Sequence, residues 1–139
     1  MPDHSELEGG HRRPHNPPTC IPFAEYDLAR ELAQLREETL WMNGQNAKTL
    51  VKSDDLRIIL LALKRDARIP GHKVPGSISI HLISGHIRLR ALERTFDLLP
   101  GSLLALDKEM PHEVQAMEES AFLLTIAWPT REETSVEKT

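Results

Sequence analysis

Residues 70–89 read PGHKVPGSISIHLISGHIRL, and they place three histidines and three glycines within one short stretch. From Ile78 to Ile83 the pattern alternates. Ile78, Ile80 and Leu82 share one parity, and Ser79, His81 and Ile83 share the other. Successive side chains of a strand point to opposite faces, so this is the signature of a strand with two unlike sides. Ser84-Gly85 then marks a turn, and a second apolar-periodic run begins at Ile87. The same parity argument separates the histidines. His81 shares a face with Ser79 and Ile83, while His72 and His86 lie outside the strand at either end. The three cannot simply be pooled into one metal site.

Outward from this stretch the chain continues as short strands separated by turn signals. TLVKS and LRIILLAL (Leu56–Leu63) precede it, and IRLRAL, SLLALD, EVQAM and AFLLTIAW follow. The breaks fall at Ser84-Gly85, Pro100-Gly101, Met110-Pro111 and Glu118-Glu119. Short strands at this regular spacing predict an all-β sandwich or barrel. LRIILLAL is apolar on both faces, as in a strand covered on both sides, with Arg57 its lone charge. Before the strands, EYDLARELAQLREE sets Leu28, Leu32 and Leu35 on one helical stripe, and Asp27 is placed to cap the helix. The helix is expected to pack on the domain that follows.

The full chain has 139 residues, 27% of them charged and 40% apolar, with a net charge of −4. That length encloses one real core. The charge argues against a nucleic-acid surface. One cysteine, Cys20, excludes an internal disulfide. The opening residues contain no apolar stretch, and no run long enough to span a bilayer occurs, so a cytoplasmic protein without membrane association is expected. Residues 1–22, which carry His4, His11 and His15, read as a solvated tail, and 130–139 as a second one. The expected organisation is therefore a tail at 1–22, a helix and linker at 23–43, a barrel at 44–129 and a tail at 130–139. No phosphate-binding glycine loop, nucleophile elbow or paired Cys-x-x-Cys motif is present.

Between Leu56 and Trp128 the chain resembles the cupin superfamily of double-sheet, jelly-roll β-barrels. The first cupin motif runs Gly, five residues, His-x-His, three or four residues, Glu, six residues, Gly. His72 matches its first histidine and Gly85 its last glycine. Val74 then stands at the second histidine, Ile78 at the glutamate and Asp66 at the opening glycine. The second motif runs Gly, five residues, Pro-x-Gly, two residues, His, three residues, Asn. Gly101 and His112 match its first glycine and its histidine, while Asp107, Glu109 and Ala116 replace the proline, second glycine and asparagine. Fifteen residues separate the two motifs.

Metal-bearing cupins hold their ion with three imidazoles and one carboxylate, a set suited to Fe, Mn, Ni, Cu or Zn. The resemblance implies that this chain keeps two of the four, His72 and His112, with hydrocarbon at Val74 and Ile78. It also implies that Ile78, Ile80 and Leu82 point into the barrel and that His81 faces outward, to the surface or a subunit contact. His86 is expected at the rim or in solvent. The expected pocket is lined by His72, Val74, Ile78, Ile80 and His112 and suits a small molecule with an apolar body and one or two polar groups. The two histidines have three open roles. They are contacts or proton carriers for a ligand, ligands of a weakly bound divalent transition metal, or structural groups. The corresponding functions are a small-molecule-binding protein, a metal-dependent dioxygenase or isomerase, and a module acting through protein contacts. The outer face of one sheet is expected to form a homodimer, with Ile59, Leu61 and Leu63 of LRIILLAL as the exposed apolar patch.

Overall fold

The structure is a computed structural model, and it describes residues 22–129. Apart from Pro22, the expected tails, with His4, His11, His15 and Cys20, lie outside that range. Among the described residues one helix, α1 (Leu28–Glu37), precedes nine strands. These are β1 (Gln45–Lys52), β2 (Leu56–Leu63), β3 (Arg68–His72), β4 (Ile78–Ser84), β5 (Ile87–Ala91), β6 (Arg94–Leu98), β7 (Leu103–Leu106), β8 (His112–Ala116) and β9 (Ser120–Ala127). They form two antiparallel sheets, ordered β1-β2-β9-β4-β7 and β3-β8-β5-β6. The sheets face each other around one apolar interior, which is the double-sheet barrel that the strand rhythm predicts.

Parity decides what fills that interior. Ile78, Ile80 and Leu82 of β4 point inward with Ile87 and Leu89 of β5, Val114 and Ala116 of β8, and Phe122 and Ile126 of β9. His81 is exposed, on the outward parity expected of it. In β2 the inward set is Ile59, Leu61 and Leu63. The expectation of an outward apolar patch on these three residues is therefore corrected. Leu60 and Ala62 are the outward residues, and with Leu50, Val51 and Ala121 they are buried against Leu32 and Leu35 of α1. Both faces of β2 are apolar because each has its own cover.

The helix is fixed at both ends. The Asp27 carboxylate accepts from Arg30 N at 3.3 Å, which serves one of the orphan donors of the first turn. At the other end the buried Asn46 amide donates to Leu35 O at 3.2 Å and to Glu38 Oε1 at 3.0 Å. Tyr26 donates to Leu50 O at 2.6 Å. Lys48 of β1 pairs with Glu31 of the helix.

Turn geometry explains how the departures from the cupin glycine pattern are tolerated. Gly85 and Gly101 have φ of 87° and 92°, as the motif glycines should. Asp66 and Glu109, standing where the motifs have glycine, still adopt φ of 70° and 59°. The left-handed bend is kept, at a conformational cost glycine would not incur.

Candidate functional site

The barrel has two unlike ends. β2, β4 and β9 meet at one end through Leu63, Leu82 and Phe122, with Ile87 and Ala116 opposite, and all five are at most 2% exposed. This end is packed shut. At the other end, inward-facing side chains keep part of their surface: Ile69, Val74, Phe96, Leu104, Met110, Leu124 and Trp128 are only partly buried against the core. Leu124 is the informative case. It lies in an inward row Ile59–Leu124–Ile80–Leu104 across four strands, with hydrogen-bonded neighbours on both sides. A residue so placed is normally sealed, yet Leu124 keeps part of its surface.

The chain gathers its motif residues at this open end. β3 runs into it and stops at His72, and β8 starts from it at His112. Their registers make His72 and His112 direct cross-strand partners, beside an irregularity between Ile69 and His72. The β3–β4 loop and the β7–β8 turn are tied by Glu109 N donating to Val74 O at 2.7 Å. Gly76 passes so close to the end of β9 that a Cβ there would lie 1.9 Å from Ala127 O. The loops at this end are thus held against the strand termini by backbone contacts.

His112 is 6% exposed and shares the inward parity of Val114 and Ala116. Its Nδ1 lies 3.0 Å from Met110 O, and a carbonyl only accepts, so Nδ1 donates. In the neutral imidazole Nε2 then carries the lone pair, the arrangement a proton acceptor or metal ligand needs. Val74 sits partly buried at the open end, while Ile78 and Ile80 lie deeper, 5% and 1% exposed. Ile78 is packed among hydrocarbon, where a metal-bearing barrel would need its carboxylate. Among the described residues no three His, Cys, Asp or Glu side chains gather as metal ligands. Val74 and Ile78 thus supply neither the second imidazole nor the carboxylate of a metal-bearing cupin.

His86 belongs elsewhere. Its Nε2 meets Asp97 Oδ1 at 2.9 Å, and the same oxygen accepts from Arg88 Nε at 3.0 Å, both on the outer surface. The hydrogen bond from His86 and then that from Arg88 hold the Asp97 carboxyl below its ordinary value. Sequence reasoning missed Leu104, Met110, Leu124 and Trp128 as residues of the open end. The strand parity of Leu104 and Leu124 was readable, but residual exposure depends on how the strands end.

Three solved structures illustrate what this barrel is similar to. A cupin superfamily protein from Desulfitobacterium hafniense superposes with a TM-score of 0.62 at 15% identity, over 66% of this chain and 84% of that one. The chain has the cupin fold. A conserved protein of unknown function from Streptococcus pyogenes matches this cupin barrel with a TM-score of 0.64 at 23% identity, over 84% and 98% of the two chains. The salicylate 1,2-dioxygenase of Pseudoaminobacter salicylatoxidans, solved as adducts with gentisate, matches with a TM-score of 0.68 at 16% identity. That match spans 89% of this chain and 39% of the longer dioxygenase. No protein-family model and no curated protein matches the sequence. Among the described residues no helix is long and apolar enough to cross a membrane.

Proposed function

We propose that this cupin binds a small molecule in the open end of the barrel, with His72 and His112 beside it, and that it does so without a tightly held metal. The observation that carries the reading is the partial exposure of Leu124 and Leu104 at inward positions of a paired sheet. An apolar, concave end with one buried imidazole matches the usual composition of a ligand site, where hydrocarbon supplies area and a few polar groups supply orientation. His112, with its ring fixed by Met110, is the group to contact the ligand. Val74 and Ile78 favour an apolar ligand body over an ion.

The test fills the space. A thermal-shift screen of small organic molecules should yield compounds that raise Tm of the wild-type protein. Leu124→Trp should abolish those shifts while the folded baseline is retained, and His112→Ala should weaken them. Shifts that persist in Leu124→Trp place binding elsewhere and defeat the proposal. Elemental analysis is expected to find well under one Fe, Mn, Ni, Cu or Zn per chain. A near-stoichiometric ion lost in a His72→Ala, His112→Ala double variant would instead favour a metal-dependent enzyme.

With β2 covered by the helix, one surface left for a homodimer is the outer face of β4 and β7. Leu103 there is 66% exposed beside His81, and β7 is an edge strand. We propose this face as the dimer contact. Light scattering should give a doubled mass that falls to the monomer in Leu103→Asp, and a monomeric wild type defeats it.

A further inference from the structure

We infer that the molecule bound in the open end carries an anionic group, a carboxylate or phosphate, and that Arg57 is its counter-ion. This rests on the open-end reading above and adds the chemical class of the ligand.

Arg57 occupies an inward position. It pairs with Ile126, which pairs with Ile78, which pairs with Leu106, so these four make one row across β2, β9, β4 and β7. The other three members are buried apolar residues of the barrel interior. The row is the last inward one of this sheet before the open end, because β9 finishes at Ala127 and β4 begins at Ile78. A guanidinium on the inner face of an apolar barrel is the opposite of what folding alone selects.

Its surroundings hold it there without neutralising it. The Arg57 Cζ lies 4.0 Å from the centre of the Trp128 ring, and the backbone N of Trp128 donates to Asp55 O at 2.9 Å. Stacking on an aromatic face orients a guanidinium while leaving its donors for other partners. Arg57 Nε is buried and has no hydrogen-bond partner among the described residues. Asp54 and Asp55 are close in sequence, yet no ion pair joins either of them to Arg57. A buried donor left unmade is costly, and a charged one more so. An oxyanion at the open end would supply the missing acceptor in the geometry that guanidinium groups recognise best.

A second guanidinium reinforces the charge. Arg94 begins β6 opposite the buried Ala91, and its Cζ lies 4.9 Å from the centre of the partly buried Phe96 ring. β6 begins at the open end, since β5 and β8 pair there through Arg90 and Glu113. Like Arg57, Arg94 is stacked on an aromatic ring and forms no ion pair among the described residues. Arg94 is exposed, so Arg57 carries the assignment of a ligand with an apolar body and an acidic end, and Arg94 adds a cation at the same end of the barrel.

The experiment compares charged probes with neutral isosteres. Benzoate and hexanoate would be titrated against benzamide and hexanamide by amide-resolved NMR at constant ionic strength, with phenyl phosphate to separate phosphate from carboxylate. The acids should bind at least about tenfold more tightly than the amides, with shifts at Leu104 and Leu124. Arg57→Gln should remove that preference and leave amide binding unchanged, and Arg57→Lys should restore part of it. If acids and amides bind equally to the wild-type protein at Leu104 and Leu124, the anion assignment is wrong while the open-end site stands. An unchanged preference in a folded Arg57→Gln variant is equally fatal to Arg57 as the counter-ion. If no probe perturbs Leu104 or Leu124, the open-end reading itself fails and takes this inference with it. The wild-type comparison needs no variant to fold.

Discussion

The β5–β6 hairpin offers a quantitative test of the backbone geometry at the open end. Ala91 pairs with Arg94, so only Leu92 and Glu93 form the loop, and their φ values are 48° and 64°. Two consecutive left-handed residues define the mirror-image turn that suits the twist of a hairpin, and its preferred sequence is Asn-Gly. Leucine and glutamate carry a Cβ that the left-handed region disfavours by roughly 1–2 kcal/mol per residue. Leu92 is 70% exposed, so burial of its side chain does little to offset this. Replacing the pair by Leu92→Asn and Glu93→Gly should relieve most of the strain. Glycine returns roughly 0.5–1 kcal/mol through the greater entropy of the unfolded chain. The expected net gain is about 1–2 kcal/mol, read as a higher urea midpoint at unchanged m-value, with Tm raised by several degrees. A midpoint that stays put or falls at the same m-value would refute the assignment of a strained turn.

Three further outcomes follow from particular contacts. Asn46→Ala removes the amide that serves Leu35 O and Glu38 Oε1, and should destabilise the protein by about 2–3 kcal/mol in a denaturant melt, because both acceptors are left in a buried setting. Gly85→Ala demands φ of 87° from alanine and brings its Cβ to 2.3 Å from Glu119 O, so it should cost more than about 2 kcal/mol and lower Tm accordingly. The lowered pKa of Asp97 gives the third its sign. A carboxyl that is more acidic folded than unfolded stabilises above its unfolded pKa, and this contribution is lost as pH falls through the lower, folded value. Asp97→Asn should therefore lower stability at neutral pH and flatten the acid-side loss below about pH 4, measured by urea melts across that range.

The fold was legible where periodicity and turn chemistry agreed. LRIILLAL matches β2 residue for residue, Asp27 caps the helix, and the alternation in SISIHLI gives the inward face of β4. β6 was missed because its hairpin contains neither glycine nor asparagine, the usual signals of a two-residue turn. β3 was missed because Pro70 and Gly71 read as loop. In β2 the error had a physical cause. Arg57 shares parity with Ile59, Leu61 and Leu63, and a lone charge ordinarily marks the solvent side, yet here it lies in an inward row with Ile126 and Ile78. The register that pairs His72 with His112 across β3 and β8 was not stated by motif spacing, and the spacing said nothing of Leu124 or Trp128. Residual exposure belongs to the ends of strands in three dimensions, which no local pattern records.

The way α1 is attached also fixes how small a piece of this chain can stand alone. Its contacts run through Tyr26, Asn46 and Lys48 to the first strands, and it lies over Leu60, Ala62 and Ala121. Those three belong to β2 and β9, in the middle of a sheet. A fragment begun at Gly44 would contain every strand and every barrel residue, yet it would present this oily central panel to water. Such a fragment would be sticky rather than minimal. For expression, domain grafting or cell-free labelling, the smallest sensible unit starts ahead of Tyr26, and the helix counts as one wall of the barrel.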